Sequence, residues 1–121
     1  MKEDILKSKS FQLAESIVEF CGIYSKSENH ILSNQLLRCG TSIGACVAEA
    51  GAAQTKRDFI TKLSIASKEA RETLYWLKLI KSTNGKFQKY QSLIEDTEEI
   101  IRLLTASVKT AQKNEKLKHK K

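Results

Sequence analysis

The sequence predicts an all-α protein, an antiparallel up-down four-helix bundle, and three observations support that prediction. The 121 residues contain no proline and only five glycines, as expected of long helices joined by short connections. Apolar residues recur three and four positions apart through most of the chain, which is the spacing of one helical face. No stretch alternates polar and apolar residues over the length of a strand. We therefore expect one bundle domain over residues 1–112 and a basic tail over 113–121.

The first two helices are predicted at residues 8–25 and 28–53. Ser8 or Ser10 can cap the first helix and Ser27 the second, because a serine oxygen accepts hydrogen bonds from first-turn amides. Helical spacing gives the first helix this predicted inward face: Phe11, Ala14, Ile17, Val18 and Cys21.

A stripe of small residues runs along the second helix, where Gly40, Gly44, Ala48 and Ala52 recur every four residues. Each internal glycine costs about 1 kcal/mol of helix stability relative to alanine, so close packing has to compensate. Small residues let a neighbouring helix approach closely, with ridges fitting into grooves. We expect this stripe to pack against the third helix.

The third helix is predicted over residues 55–83, with Thr55 as its cap and Asp58 in its first turn. A heptad seam follows, which favours bundle packing at a shallow crossing angle. Asn84 and Gly85 provide the stop signal. The seam comprises Phe59, Leu63, Ala66, Ala70, Thr73, Leu77 and Ile80.

The fourth helix is predicted over residues 87–112, with an acidic first half and a basic end that complement the helix dipole. Residues 109–121 hold six lysines and one glutamate, so five of the chain's seven net positive charges lie there. We expect the tail itself to fray. The predicted inward face comprises Tyr90, Leu93, Ile94, Thr97, Ile101, Leu104, Val108 and Ala111.

A second, partly apolar flank of the third helix holds Ile65, Trp76 and Leu79, together with Glu69 and Glu72. Tryptophan is enriched at subunit interfaces, so we interpret this flank as a candidate contact with another copy of the chain. The alternative is that Trp76 packs against the first or fourth helix of its own chain.

Arg38, Ser42 and Glu49 project together from the second helix on the side away from its small-residue stripe. Arg38 can pair with Glu49, Glu69 or Glu72 of its own or a neighbouring chain, and a buried pair of this kind fixes register. We therefore add Arg38 and Glu49 to the candidate subunit interface. The alternative is that they are ordinary surface groups.

A basic face lies opposite the heptad seam of the third helix and comprises Arg57, Lys68, Arg71 and Lys78, with Tyr75 among them. Helical geometry fixes these cations in a row, and Tyr75 can stack on a base. The pattern predicts contact with RNA or DNA. The alternative is an ordinary solvated helix face.

The tail supplies further candidate phosphate contacts in Lys113, Lys116 and Lys118. Such contacts neutralise phosphates without sequence preference, and their affinity falls steeply with salt. The alternative is a tail that serves solubility alone.

Catalytic motifs are not evident in the sequence. His30 and His119 lie far apart, and neither is spaced with a cysteine as a zinc site requires. Cys39 and Cys46 lack a second pair of metal ligands, so we interpret them as small buried apolar residues. We expect a non-enzymatic protein with no catalytic residue, no metal and no cofactor.

The N-terminal ten residues lack the apolar region of a signal peptide, and the longest uncharged run, ten residues, is too short to span a bilayer. Three cysteines without a framework spacing favour a reducing compartment. We expect a cytoplasmic protein with no membrane partner.

The chain resembles a known family in three segments: RCGTSIGACVAEA at 38–50, KRDFI at 56–60 and KEARETLYWL at 68–77. They resemble the bacterial four-helix-bundle family, also called the ribosomal-RNA intervening-sequence protein family. Its relatives include the accessory variability determinant of diversity-generating retroelements. Cys46 departs from the family pattern, which usually has asparagine there, so a hydrogen bond made by that asparagine is not expected in this chain.

The resemblance implies an up-down four-helix subunit that assembles into a ring-like homopentamer. In the retroelement relative, a basic surface binds nucleic acid and a reverse transcriptase, so both become candidate partners here. Many members have no assigned activity, and a fold does not determine a function. The main hypothesis is a nucleic-acid-binding oligomer, and the alternative is a protein-protein adaptor or structural module without nucleic-acid affinity.

Overall fold

The computed structural model describes residues 2–27, 29–83 and 89–119, and these ranges contain four helices and no strand. The helices are α1 (Lys2–Ser27), α2 (His30–Gly51), α3 (Lys56–Thr83) and α4 (Lys89–His119). The prediction of an all-α protein with four helices is confirmed.

The first helix begins earlier than the sequence suggests. Ser8 and Ser10 lie inside α1, so neither caps it, and the Ser10 hydroxyl donates to the Lys7 carbonyl at 3.2 Å. Leu6 is buried and extends the apolar face of α1 toward its N-terminus. Burial of that side chain against the bundle stabilises the additional N-terminal helical turns. The prediction omitted these turns because it took Ser8 or Ser10 as the N-cap.

Asn29 caps α2, whereas the cap predicted from the sequence is Ser27. The Asn29 side-chain oxygen accepts hydrogen bonds from the amides of Ile31 and Leu32 at 2.9 and 3.2 Å. Asparagine is as good an N-cap as serine, and here it satisfies two first-turn amides.

The start of α3 agrees with its predicted cap, because the Thr55 hydroxyl accepts the Asp58 amide at 3.0 Å. The predicted stop at Asn84 and Gly85, and the predicted start of the fourth helix at residue 87, lie outside the described residues. At its other end α4 continues to His119, past residue 112 where the tail is predicted to begin. Lysines near a helix C-terminus complement its dipole and are compatible with this extension.

The four helices form an antiparallel up-down bundle. Each helix packs against its sequence neighbours and α4 packs against α1, while the diagonal pairs do not pack directly within the described ranges. Early residues of each helix lie beside late residues of the next, which sets the directions. The contacts that show this are Ser10 with Gly44, Cys21 with Ser33, Lys62 with Glu49, and Lys81 with Gln91. Helices α1 and α4 are also antiparallel, because Lys9 contacts Glu99 while the later Phe20 contacts the earlier Tyr90.

The heptad seam of α3 lies in the core as predicted. Six of its seven residues are buried, and Phe59 packs against the core from a half-buried position. Six of the eight residues predicted to face inward on α4 are buried, whereas Ile101 and Val108 are half-buried and pack against the core. Ile100, which the prediction leaves out, is buried in place of its neighbour Ile101. A single stripe of apolar residues determines the inward face of each of these helices.

The inward face of α1 differs from the prediction. Phe11 and Val18 are 65% and 52% exposed. The buried stripe instead contains Leu6, Leu13, Ile17, Phe20 and Tyr24, with Cys21 beside it. Phe20 stacks on Tyr24 at 5.6 Å and meets Tyr90 of α4 edge-on at 5.3 Å. Two apolar stripes compete on α1, and this aromatic cluster favours burial of the stripe that includes Phe20.

The small-residue stripe of α2 packs against α1, not against α3 as predicted. A Cβ at Gly40 would lie 2.5 Å from Ile17 Cδ1, and one at Gly44 would lie 3.3 Å from the Ser10 carbonyl oxygen. Ala48 and Ala52, at the end of the stripe, are exposed. The prediction was wrong because small residues indicate a close approach but not which neighbouring helix approaches.

Candidate functional site

The basic face runs along the outer surface of α3. Arg57, Lys68, Arg71 and Lys78 are all exposed, on the side of the helix away from its buried seam. The helix rises 1.5 Å per residue, so the face extends over about 30 Å. The rigid helix therefore holds the four charges in a fixed row.

None of these four cations forms an ion pair or a hydrogen bond with another residue in the described ranges. Tyr75, in the same row, is 60% exposed, and its ring meets the Trp76 ring edge-on at 5.2 Å. The face thus offers unpaired positive charge next to an accessible aromatic ring.

The flank of α3 that faces α2 has a different electrostatic character. Arg38 on α2 pairs with Glu69, with 3.5 Å between Nη1 and Oε2, and with Glu72. The Trp76 indole N–H donates to Glu72 at 3.1 Å. Glu69 Oε2 is buried and has no hydrogen bond among the described residues, so Arg38 is its main compensation. This cluster joins α2 to α3 within one chain.

Glu49 does not pair with Arg38; it accepts a hydrogen bond from Lys62 Nζ at 3.2 Å. The sequence leaves open whether the Arg38 partners belong to its own chain, and the structure shows Glu69 and Glu72 of the same chain. On the same flank Ile65 is 42% exposed. Its neighbours Trp76 and Leu79 are half-buried, and their role in a subunit interface stays a prediction.

The end of α4 lies beside the start of α3. Lys113 and Lys116 are exposed, and Lys116 lines an open groove together with Lys56 and Arg57. The side chain of Lys118 lies outside the described residues. The antiparallel packing of two helices of nearly equal length therefore brings Lys116, together with Glu115, to one end of the basic face.

Lys56 belongs to this end of the site and is absent from the sequence-based set. Its Nζ lies 5.3 Å from the centre of the Phe59 ring, which positions the charge by a cation–π contact. Its place as the first residue of α3, one position before Arg57, is the signal that could have identified it.

The three cysteines are unpaired and resemble apolar core residues more than nucleophiles. Burial raises the pKa of Cys39 to about 11. Burial also raises the pKa of Cys21, whose backbone carbonyl accepts the Ser33 hydroxyl at 3.2 Å, and the pKa of the half-buried Cys46. All three thiols are therefore protonated at neutral pH, which disfavours nucleophilic chemistry.

In the ranges that the structure covers, no three histidine, cysteine or acidic side chains cluster closely enough to hold a metal ion. Within the same ranges, every helix is too short or too polar to cross a membrane.

The sequence model of a known family, described as 23S rRNA-intervening sequence protein, matches residues 2–106. The chain belongs to this family. The match extends from the start of α1 to just past the middle of α4, so it includes all of α1, α2 and α3 and the entire basic face of α3. Membership in the intervening-sequence family confirms the resemblance stated from the sequence, while the relationship to the retroelement determinant stays a prediction.

A solved structure from Bacteroides thetaiotaomicron resembles this family member closely. It is a protein with unknown function from the S23 ribosomal protein family, 43% identical in sequence, with a TM-score of 0.83. The match covers 90% of this chain and 99% of the other. No protein of curated function matches the chain.

Proposed function

We propose that this intervening-sequence family member is a non-enzymatic, oligomeric helical module that binds structured RNA or DNA through the basic face of α3. One contrast carries the proposal: the cations of the outer face have no acidic partner in the described ranges, whereas Arg38 and Lys62 on the α2 side are paired.

The geometry of the face suits a phosphate backbone. Duplex DNA advances 3.4 Å per base step, so a row of cations about 30 Å long spans about nine steps. Arg57, Lys68, Arg71 and Lys78 would each displace counterions from the phosphates they neutralise, and this displacement makes affinity depend on salt. Tyr75 adds a stacking surface for an unpaired base, which is how proteins commonly recognise RNA loops.

Repetition of the face in an oligomer would strengthen its binding. Each copy offers a weak, sequence-independent site, and linked copies bind more tightly because the second contact forms at high effective concentration. A homopentamer and a reverse-transcriptase partner, which the family resemblance implies, and a cytoplasmic location, which the sequence predicts, belong to this proposal.

A matched pair of variants tests the basic face. The first replaces Arg57, Arg71 and Lys78 with glutamate, and the control replaces Lys7, Lys26 and Lys89, which are exposed on other helices, with glutamate. Both variants change the net charge equally. Binding to a labelled RNA hairpin and to duplex DNA is measured by fluorescence anisotropy at several salt concentrations.

We expect the first variant to lose at least tenfold in affinity at low salt and the control to lose much less. Removing three phosphate contacts should also reduce the slope of log K against log salt by about 2 to 3. Equal losses of affinity in both variants would show that binding depends on net charge and not on the basic face of α3. Absence of binding by the wild-type chain at 50 mM salt would overturn the proposal.

The alternative function is a protein-protein adaptor without nucleic-acid affinity. The exposed apolar side chains of α1, Phe11 and Val18, favour it, because such side chains are typical of a protein interface. Wild-type protein that binds no nucleic acid in the same titration would support the adaptor.

A further inference from the structure

An open groove lies where the start of α3 packs beside the end of α4. Its volume of about 930 Å³ falls within the range of about 300 to 1,000 Å³ that is usual for small-ligand sites. The half-buried Ile60 gives the groove an apolar patch, and Thr61 and Gln112 contribute neutral polar groups. A ligand with both an apolar ring and a polar group could therefore be accommodated there.

Three cations converge on this groove, Lys56 and Arg57 from α3 and Lys116 from α4. Their side chains form no ion pair or hydrogen bond with the rest of the described chain. Lys109 and Lys113 line a smaller groove that shares Lys116 with the first, so further positive charge lies alongside. The antiparallel packing of α3 and α4 thus gathers cations that are distant in sequence.

The acids near the groove do not cancel this charge. Glu115 lines the groove, but it already has an interaction partner. Asp58 projects about 100° around α3 from Arg57, toward Lys62, whose pKa its charge helps to raise. Three cations against one acid leave the described lining of the groove positively charged.

The groove is continuous with the basic face, because Arg57 belongs to both. The remaining cations of the face, Lys68, Arg71 and Lys78, lie on one helix and suit the single negative charge of each internal phosphate. A terminal phosphate monoester carries a charge of about −1.5 to −2 near neutral pH. Cations from two helices around one space match that larger charge better than a single row does.

We infer that the groove binds the terminal phosphate of a nucleic-acid strand that lies along the basic face of α3. The inference rests on the proposed function, because the strand is the one that the face binds. With its end held at Lys56 and Lys116, the strand contacts the other cations of α3 through its internal phosphates. The groove thereby favours strands that end in phosphate over strands that end in hydroxyl.

Three RNA strands of ten nucleotides test the groove. They share one sequence and an internal fluorescent label, and they carry a 5′-phosphate, a 3′-phosphate or hydroxyls at both ends. Fluorescence anisotropy at low salt and neutral pH gives the affinity of each strand. The ratio of the affinity for a phosphate-ended strand to that for the hydroxyl-ended strand measures recognition of the end.

For the wild-type chain we expect at least one phosphate-ended strand to bind about fivefold more tightly than the hydroxyl-ended strand. Replacing Lys56 and Lys116 with glutamine should lower this ratio to about 1, because the extra phosphate charge then lacks its cations. Both lysines are exposed, so the variant should fold, and circular dichroism with a thermal melt checks this.

Two control variants separate the groove from general electrostatics. Replacing Lys7 and Lys89 with glutamine makes the same change in net charge on other helices and should keep the wild-type ratio. Replacing Arg71 and Lys78 with glutamine should weaken binding of all three strands and also keep the ratio, since both residues lie outside the groove.

A ratio that falls equally in the groove variant and the Lys7 and Lys89 control would overturn the inference. Adenosine monophosphate that competes at the same concentration as the phosphate-ended strand would overturn the assignment to a strand end and reassign the groove to free nucleotides. Equal binding of all three strands by the wild-type chain would remove this inference alone. Absence of binding to any strand would remove the proposed function and this inference with it.

Discussion

The packing seam between α1 and α2, which is distinct from the heptad seam of α3, differs from the outer surface of α3. The former is apolar and closely packed, and the latter is exposed and positively charged. In the seam, Gly40 and Gly44 admit Ile17 and the backbone at Ser10, and Cys21 and Ser33 exchange hydrogen bonds. Each of these residues packs or forms a hydrogen bond between the two helices, which stabilises the fold.

The exposed residues on the outer surface of α3 do not contribute to packing in this way. Lys68 and Arg71 are like charges three residues apart, a spacing that costs a few tenths of a kcal/mol in an isolated helix. No acid in the described ranges compensates them. The comparison teaches that packing within the chain accounts for the seam between α1 and α2, while the α3 surface contributes no such packing and is the surface on which the proposed nucleic-acid contact depends.

The largest expected effect comes from a cavity in the seam. Replacing the fully buried Ile17 with alanine should lower the free energy of unfolding by about 3 kcal/mol, because it removes packed methyl groups opposite Gly40. The same substitution at the exposed Ile23 should change it by less than about 0.5 kcal/mol. Urea unfolding measures both, and equal effects would contradict the assigned core face of α1.

Overpacking the seam should cost less. Replacing Gly44 with valine places methyl groups against the Ser10 backbone, which cannot rotate away, and should destabilise the protein by about 2 kcal/mol. Gly22 has no atom within 4 Å of its Cβ position, so the same substitution there should be nearly neutral. Thermal melts of the two valine variants compare them, and a tolerated Gly44 variant would argue against the close approach of α1.

A smaller effect is expected from two arginines, Arg38 on α2 beside the acidic flank of α3 and Arg71 on the basic face of α3. Replacing Arg38 with glutamine leaves Glu69 and Glu72 without their cation and should cost about 1 kcal/mol, since the arginine is half-exposed and solvent screens the pair. Replacing Arg71 with glutamine should change stability by less than about 0.5 kcal/mol in either direction. Chemical denaturation at low and high salt measures both, and a larger loss at Arg71 would reverse the comparison.

The smallest effect concerns the Lys9–Glu99 pair, with 2.8 Å between its charged atoms. The Lys9 hydrogen bond and charge lower the pKa of Glu99, and Glu99 raises the pKa of Lys9 by the same two contributions. Glu99 therefore stabilises the fold above its unfolded pKa of about 4.3, and this contribution is lost as pH falls through the lowered folded pKa.

The lysine contribution has the opposite sign: it is present below the unfolded pKa of about 10.4 and is lost as pH rises through the raised folded pKa. Replacing Glu99 with glutamine should thus lower the urea midpoint slightly at neutral pH, and the difference should vanish in strong acid. A difference that grows in acid would contradict the pair.

Parts of the fold and the site follow directly from the sequence. The heptad seam of α3 and the Thr55 cap could be predicted because each depends on spacing within one helix. The exposure of Arg57, Lys68 and Arg71 could be predicted for the same reason, since they lie opposite that seam. The contribution of Lys116 could not, because its position beside Arg57 arises from the packing of α4 on α3.

The sequence by itself determined that the chain has four helices, which side of α3 is buried and which residues form its basic row, because helix formation and amphipathic spacing are local properties. Only the tertiary structure decided that Phe11 and Val18 remain on the surface, and that Gly40 and Gly44 meet α1. Those outcomes depend on which of two competing apolar stripes fits the facing helices, and that fit is settled by contacts between residues far apart in the chain.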